Sequence, residues 1–217
     1  MSFIKSMYRK NLAYRWWFNS RITLKQNTAL SKWRQLGMPM PPPHEYKQSL
    51  ILNYSRKYSV SVFIETGTFL GYMVEVMKYR FKKLISIELD LTLYGNARKK
   101  FTHDTNITIL QGDSTYVLPQ VLSELHEPSL FWLDGHYSEG ITAKGKLNTP
   151  IISELKSILE HPIKDHLILI DDARCFVGNN DYPTVEELKT LVLKNNSALN
   201  VSVENDVIII CKSIPSG

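Results

Sequence analysis

The chain has 217 residues, 43% hydrophobic and 22% charged, which is ordinary for a soluble globular chain and enough to bury one sizeable core. Two cysteines, Cys175 and Cys211, exclude a disulfide framework, and no apolar run approaches the ~20 residues of a membrane-spanning helix. The net charge of +5 is unevenly spread: eight basic residues precede the first acidic one, Glu45, and the remainder holds 18 basic against 21 acidic residues.

Residues 1–37 form the basic arm, in which Trp16, Trp17 and Trp33 are interleaved with Lys and Arg. Charged or polar residues break every window of the first twenty, so no secretory signal is expected and a reducing cytoplasm is the expected compartment. Two readings of the arm stay open. Amphipathic rings beside cations suit peripheral contact with anionic lipid at the inner face of a membrane. Alternatively the arm is a helical extension whose aromatics pack on the domain or on a second subunit of a homo-oligomer. Nucleic acid is not an expected partner, because the rest of the chain offers no matching basic stripe.

"MPMPPPHEY" (38–46) is a boundary, since consecutive prolines favour an extended spacer; it divides an N-terminal extension and linker, 1–44, from a domain over 45–217. Strand-like runs then alternate with helix-like stretches. "SVFIET" (60–65) precedes a helix over 71–82, "KLISIEL" (83–89) one over 91–102, and "ITILQGD" (107–113) one over 115–125. "SLFWLD" (129–134) is followed by a polar loop over 135–149 and a helix over 150–160, and "HLILIDD" (166–172) by a helix over 184–194. The end, "LNVSVENDVIIICK", is two strand runs whose link is too short for a crossover, hence a hairpin. The predicted fold is α/β: a doubly wound, mostly parallel seven-stranded sheet with an antiparallel C-terminal hairpin and a basic helical N-terminal extension.

In open α/β sheets ligands bind beyond the C-terminal ends of the strands. In "ETGTFLGYM" (65–73), Gly67 and Gly71 allow a tight turn and close backbone approach to a ligand. Glu88 lies 21 residues past Gly67, near the spacing at which a carboxylate meets ribose hydroxyls; it also reads as a solvated strand end. Asp113 and Ser114 end the third strand and read equally as helix caps. The fourth strand runs into Asp134, His136 and Tyr137, and the fifth into Asp171 and Asp172. Carboxylates crowded at two adjacent strand ends call for a positive charge between them; a divalent cation is one solution, and capping plus a salt bridge to Arg174 is another. His136 titrates near neutrality and suits a general base, or else fixes the loop by a hydrogen bond. The loop would present Tyr137, Ser138, Lys144 and Lys146 to a hydroxyl-rich or anionic acceptor.

Five βα units with an antiparallel ending resemble the class I S-adenosylmethionine-dependent methyltransferases. The E-x-G-x-F-x-G-Y run at 65–72 resembles motif I of the metal-dependent catechol-type and related natural-product and sugar O-methyltransferases. The resemblance spans about 58–212. It implies a donor site of Glu65, Gly67, Thr68, Phe69, Gly71 and Asp134, with Glu88 on the ribose and Asp113 and Ser114 at the adenine. It implies Mg²⁺ held by Asp134, Asp171 and Asp172, and methyl transfer from S-adenosylmethionine to a hydroxyl of a small molecule or glycan, such as a surface-polysaccharide sugar. His136 is then the first choice as base and Asp134 the second. Two positions depart from the pattern: Met73 stands where the family has Ser, and Tyr137 where catechol-type enzymes have Lys. A same-fold hydroxylase-like enzyme and a non-catalytic membrane-associated nucleoside-binding scaffold are the competing expectations.

Overall fold

The computed structural model describes residues 12–135 and 149–213. Helix α1 (Leu12–Gln35) and helix α2 (His44–Lys57) lead into a sheet of β1 (Val62–Thr66), β2 (Lys83–Glu88), β3 (Ile107–Gln111), β4 (Ser129–Leu133), β5 (Leu167–Ile170), β6 (Leu199–Glu204) and β7 (Val207–Lys212). Helices α3 (Tyr72–Met77), α4 (Leu91–Phe101), α5 (Ser114–Ser123), α6 (Ile151–Glu160) and α7 (Val185–Asn195) alternate with the strands. The strand order is β3-β2-β1-β4-β5-β7-β6, all parallel except β7, which runs antiparallel to both neighbours. This is the doubly wound sheet that the sequence predicts, with its C-terminal hairpin in place.

Side chains alternate across a strand, so a strand covered on both faces must be apolar throughout. Val62 and Ile64 face one way, packing with Ile85, Phe131 and Ile168 against Leu118 of α5, Leu155 of α6 and Leu188 of α7. Phe63 faces the other way, packing with Leu84, Leu130 and Trp132 against Ile51 of α2, Met77 of α3 and Phe101 of α4. The β6–β7 turn is a two-residue loop, Asn205-Asp206, with φ of 42° and 74°. Positive φ at both positions is the hairpin geometry that Asn and Asp tolerate.

Two elements differ from expectation. Helix α3 is half the predicted length, because Asn106 Nδ2 donates to the carbonyls of Lys78 (2.8 Å) and Phe81 (3.1 Å) and captures the chain as it leaves the helix. Helix α2 falls in a stretch whose proline-rich lead-in masks the helix that follows; Pro43 is its N-cap residue and Glu45 sits in its first turn.

Helix α1 is anchored at its C-terminal half. Gln26 Nε2 donates to Gln48 Oε1 at 3.2 Å, and Trp33 is buried against Tyr46 with its indole N–H donating to the Pro39 carbonyl at 2.8 Å. Nearer its start, Tyr14 and Phe18 contact Tyr79, while Trp16 and Trp17 are 73% and 47% exposed. Among the described residues no helix is long and apolar enough to cross a membrane.

Candidate active site

The register brings the strand ends level. Thr66 pairs with Leu133, and Leu133 with Ile170. The next residues extend the ladder: Gly67 N–H donates to Ile87 O (2.9 Å), Asp134 N–H to Thr66 O (3.1 Å) and Asp171 N–H to Leu133 O (3.0 Å). Gly67, Asp134 and Asp171 therefore leave the sheet side by side. The strand order reverses between β1 and β4, so this edge is the switch point at which such sheets open a crevice.

On the β1–β2 side, Gly67 adopts φ 88°, and a Cβ there would lie 2.6 Å from the Asp134 carbonyl oxygen; only glycine fits. The turn continues through Thr68, whose hydroxyl is 2.7 Å from that of Ser86, and the Ser86 hydroxyl donates to Glu65 at 2.5 Å. Complete burial raises the Glu65 carboxyl well above its ordinary range, with the Ser86 hydrogen bond opposing. Phe69 is partly exposed and takes φ 49°, and Gly71 closes the turn by donating to Thr68 O at 2.8 Å. Glu88 is buried and ties this turn to the end of β2: its carboxylate accepts from Phe69 N–H at 2.7 Å and from Asp90 N–H at 2.9 Å. It is therefore not a solvated strand end. Each carboxylate oxygen retains a lone pair for a further donor. Burial raises its pKa and these backbone bonds offset part of the rise.

At the end of β3, Asp113 is the N-cap of α5, accepting from Thr115 N–H at 2.9 Å, and Ser114 is buried behind it. Capping accounts for the Asp113 side chain without a ligand. The buried carboxyl of Glu154, from α6, faces this end of the sheet. A Cβ on Gly135 would lie 3.5 Å from its Oε1 and 3.2 Å from Thr66 Oγ1. Burial pushes Glu154 up to about 7, and among the described residues neither its Oε1 nor Thr66 Oγ1 has a hydrogen-bond partner.

On the β4–β5 side, the structure brings Asp134, Asp171 and Asp172 to one crevice but does not arrange them as a chelate. Among the described residues no group of three His, Cys, Asp or Glu side chains is placed to hold a metal. The Lys47 ammonium, reaching in from α2, lies 2.6 Å from the Asp171 carboxylate and 3.2 Å from Asp172 Oδ1. Asp172 adopts φ 56° and also accepts from Arg174 Nη1 at 2.7 Å, and Arg174 pairs in turn with Asp206 of the hairpin turn. Salt bridges to Lys47 and Arg174 thus engage the Asp171–Asp172 pair, the alternative to a divalent cation that the sequence offers through Arg174 for one of the two. Burial, then the charges of Asp134 and Asp172, raise the Asp171 pKa; Lys47 opposes them.

His136 and Tyr137, the expected catalytic side chains, lie outside the described residues, as do Ser138, Lys144 and Lys146. Sequence reasoning missed three residues here: His44, Lys47 and Glu154. His44 opens α2, and burial lowers its pKa while the nearby Asp134 charge acts in the opposite direction. The signal for the first two was a helix start directly after "PPP"; Glu154 carries none, because a buried carboxyl on an apolar helix reads like its exposed neighbours.

No family model matches the sequence, and no curated protein matches it. Solved structures do share its architecture. The O-methyltransferase TomG from Streptomyces achromogenes, in complex with SAM, superimposes with a TM-score of 0.58 over 87% of this chain and 89% of its own, at 14% identity. An O-methyltransferase from Bacillus cereus in complex with SAH gives 0.57 over 87% and 90%, at 13% identity. The SAH-bound Podospora anserina methyltransferase PaMTH1 gives 0.55 over 90% and 95%, also at 13%. At such identities the likeness speaks for the fold, and it agrees with the strand order: the chain has the class I methyltransferase fold.

Proposed function

We propose that the protein is an S-adenosylmethionine-dependent methyltransferase acting on a hydroxyl of a small molecule or glycan. One observation carries the reading: β1, β2, β4 and β5 deliver Gly67, Glu88, Asp134 and Asp171 to a single edge at the switch point. The donor would lie over the Gly67–Gly71 turn, its ribose hydroxyls donating to Glu88, whose two oxygens are already fixed by backbone N–H groups. The solved neighbours named above, crystallised with this donor or its product, support S-adenosylmethionine as the donor.

The reaction is an in-line displacement. A lone pair of the acceptor oxygen forms the new C–O bond as the methyl C–S bond breaks, and that electron pair returns to sulfur. Neutralising the sulfonium requires no counter-ion, but the hydroxyl proton must go to a base. His136 takes that proton in this reading, with Asp134 holding the acceptor hydroxyl. His44 is a second imidazole within electrostatic reach of Asp134, whose charge raises its pKa against the lowering by burial.

The arm belongs to the same proposal. Exposed Trp16 and Trp17 beside Arg15 and Arg21 suit the face of an anionic bilayer, where a lipid-linked acceptor would be found. The test of the enzyme reading is calorimetric titration with S-adenosylhomocysteine, followed by Asp134→Asn. The variant should keep donor affinity within about two-fold and lose turnover; an active Asp134→Asn enzyme, or a wild type that ignores the nucleoside, would end the reading.

A further inference from the structure

Three carboxylates at two adjacent strand ends repel one another, and each negative charge makes the next harder to hold. Something positive has to stand among them. A divalent cation with oxygen ligands at about 2.1 Å is one answer. This chain contains another. Lys47 Nζ reaches the Asp171 carboxylate at 2.6 Å and Asp172 Oδ1 at 3.2 Å, and its side chain is 12% exposed.

The placement of Lys47 is built, because its neighbours on α2 are tied down on several sides. Tyr46 donates from its hydroxyl to Glu204 Oε1 at 2.8 Å and accepts from Asn205 Nδ2 at 2.9 Å. Gln48 is held by Gln26, and Ile51 is fully buried under the sheet. These contacts fix the Lys47 backbone at this end of the sheet, and the two salt bridges hold its ammonium between the carboxylates. Lysine and metal would compete for the same carboxylate lone pairs, and the lysine is covalently present at all times.

We propose that Lys47 is a resident cation in the place a divalent metal would take, a positioning residue that holds Asp171 and Asp172 so that the crevice works without metal. Its catalytic consequence rests on the methyltransferase reading; its geometry does not. One charge on a fixed stem replaces two on a mobile ion, so the acceptor must be oriented by the carboxylates and the surrounding loops rather than by coordination.

The experiment is a Mn²⁺ titration of the full chain after EDTA treatment and dialysis, followed by electron paramagnetic resonance of free Mn²⁺ and by thermal melting. Wild type should bind no stoichiometric Mn²⁺ at about 1 mM, and neither Mn²⁺ nor EDTA should move its melting temperature. Lys47→Ala should melt lower, gain a Mn²⁺ site, and recover stability as that site fills; Lys47→Ala with Asp171→Asn should lose the gained site. A wild-type Mn²⁺ site abolished by Asp171→Asn overturns the proposal, and this arm needs no Lys47 variant to fold. A folded Lys47→Ala protein indifferent to Mn²⁺ overturns it too. Calorimetry with S-adenosylhomocysteine runs alongside: its failure sinks the methyltransferase reading and leaves the Mn²⁺ arms to decide Lys47.

Discussion

Glu88 shows how one side chain serves both fold and site. Its carboxylate satisfies the N–H groups of Phe69 and Asp90, so it holds the donor turn in shape before any ligand arrives. Glu88→Ala should therefore do two things. Losing a charge-assisted hydrogen bond to ribose is worth about 1.5–3 kcal/mol, or about 10–100-fold in S-adenosylhomocysteine affinity by calorimetry. It should also lower the melting temperature, and Glu88→Gln, which keeps one acceptor, should recover part of that loss. Glu154 acts in the opposite sense. Its carboxyl is pushed to about 7 in the folded chain against an ordinary 4.5, so between those values the folded state binds more protons than the unfolded one. The stability it contributes is full below about pH 4.5 and falls as pH rises through 7, by about 3 kcal/mol in total. Glu65 is raised as well and slopes the same way. Denaturant melts at several pH values should show Glu154→Gln more stable than wild type at pH 8 and a flatter profile for the variant. Equal slopes for the two would mean that Glu154 is not protonated in the fold.

The elements differ in how plainly the sequence announces them. The strands announce themselves, because a parallel strand buried on both faces must be an unbroken apolar run, and "SLFWL" and "LILI" are fully buried as that rule requires. The short α3 is not announced: nothing local says that Asn106, from the loop before β3, will pull the chain out of its helix after Met77. The salt bridges of Lys47 are equally long-range, joining residues 124 and 125 positions apart, so the pairing of Asp171 and Asp172 with a lysine is invisible in the motif. Helix α1 divides the arm's tryptophans, which composition alone treats alike. Trp33 is 6% exposed, and Trp33→Ala should cost about 3–5 kcal/mol in a denaturant melt. Trp16 and Trp17 face outward, and replacing both by Ala should change stability by no more than about 0.5 kcal/mol. That double variant should nonetheless lose sedimentation with vesicles containing phosphatidylserine. Unaltered sedimentation would leave the exposed rings without a lipid role.

At the scale of the whole molecule, strand order is what turns scattered residues into a site. Gly67 and Asp134 are far apart in sequence, yet Gly67 has no room for a Cβ because the Asp134 carbonyl stands where it would go. A donor bound where strands from both halves of the sheet meet would contact β1, β2 and β4 at once, so its binding would be coupled to the folded state. Ligand that binds the folded chain alone stabilises it by RT ln(1 + [L]/Kd), about 2.7 kcal/mol at a hundred times Kd. For a domain of this size each kcal/mol is worth about 2–4 °C. Saturating S-adenosylhomocysteine should therefore raise the melting temperature by about 5–10 °C, and EDTA should leave the shift intact, because Lys47 rather than a metal balances the β5 carboxylates. A shift that vanishes with EDTA would place a metal in the crevice after all. No shift, with the chain folded, would mean that the methyltransferase fold is present here without its donor.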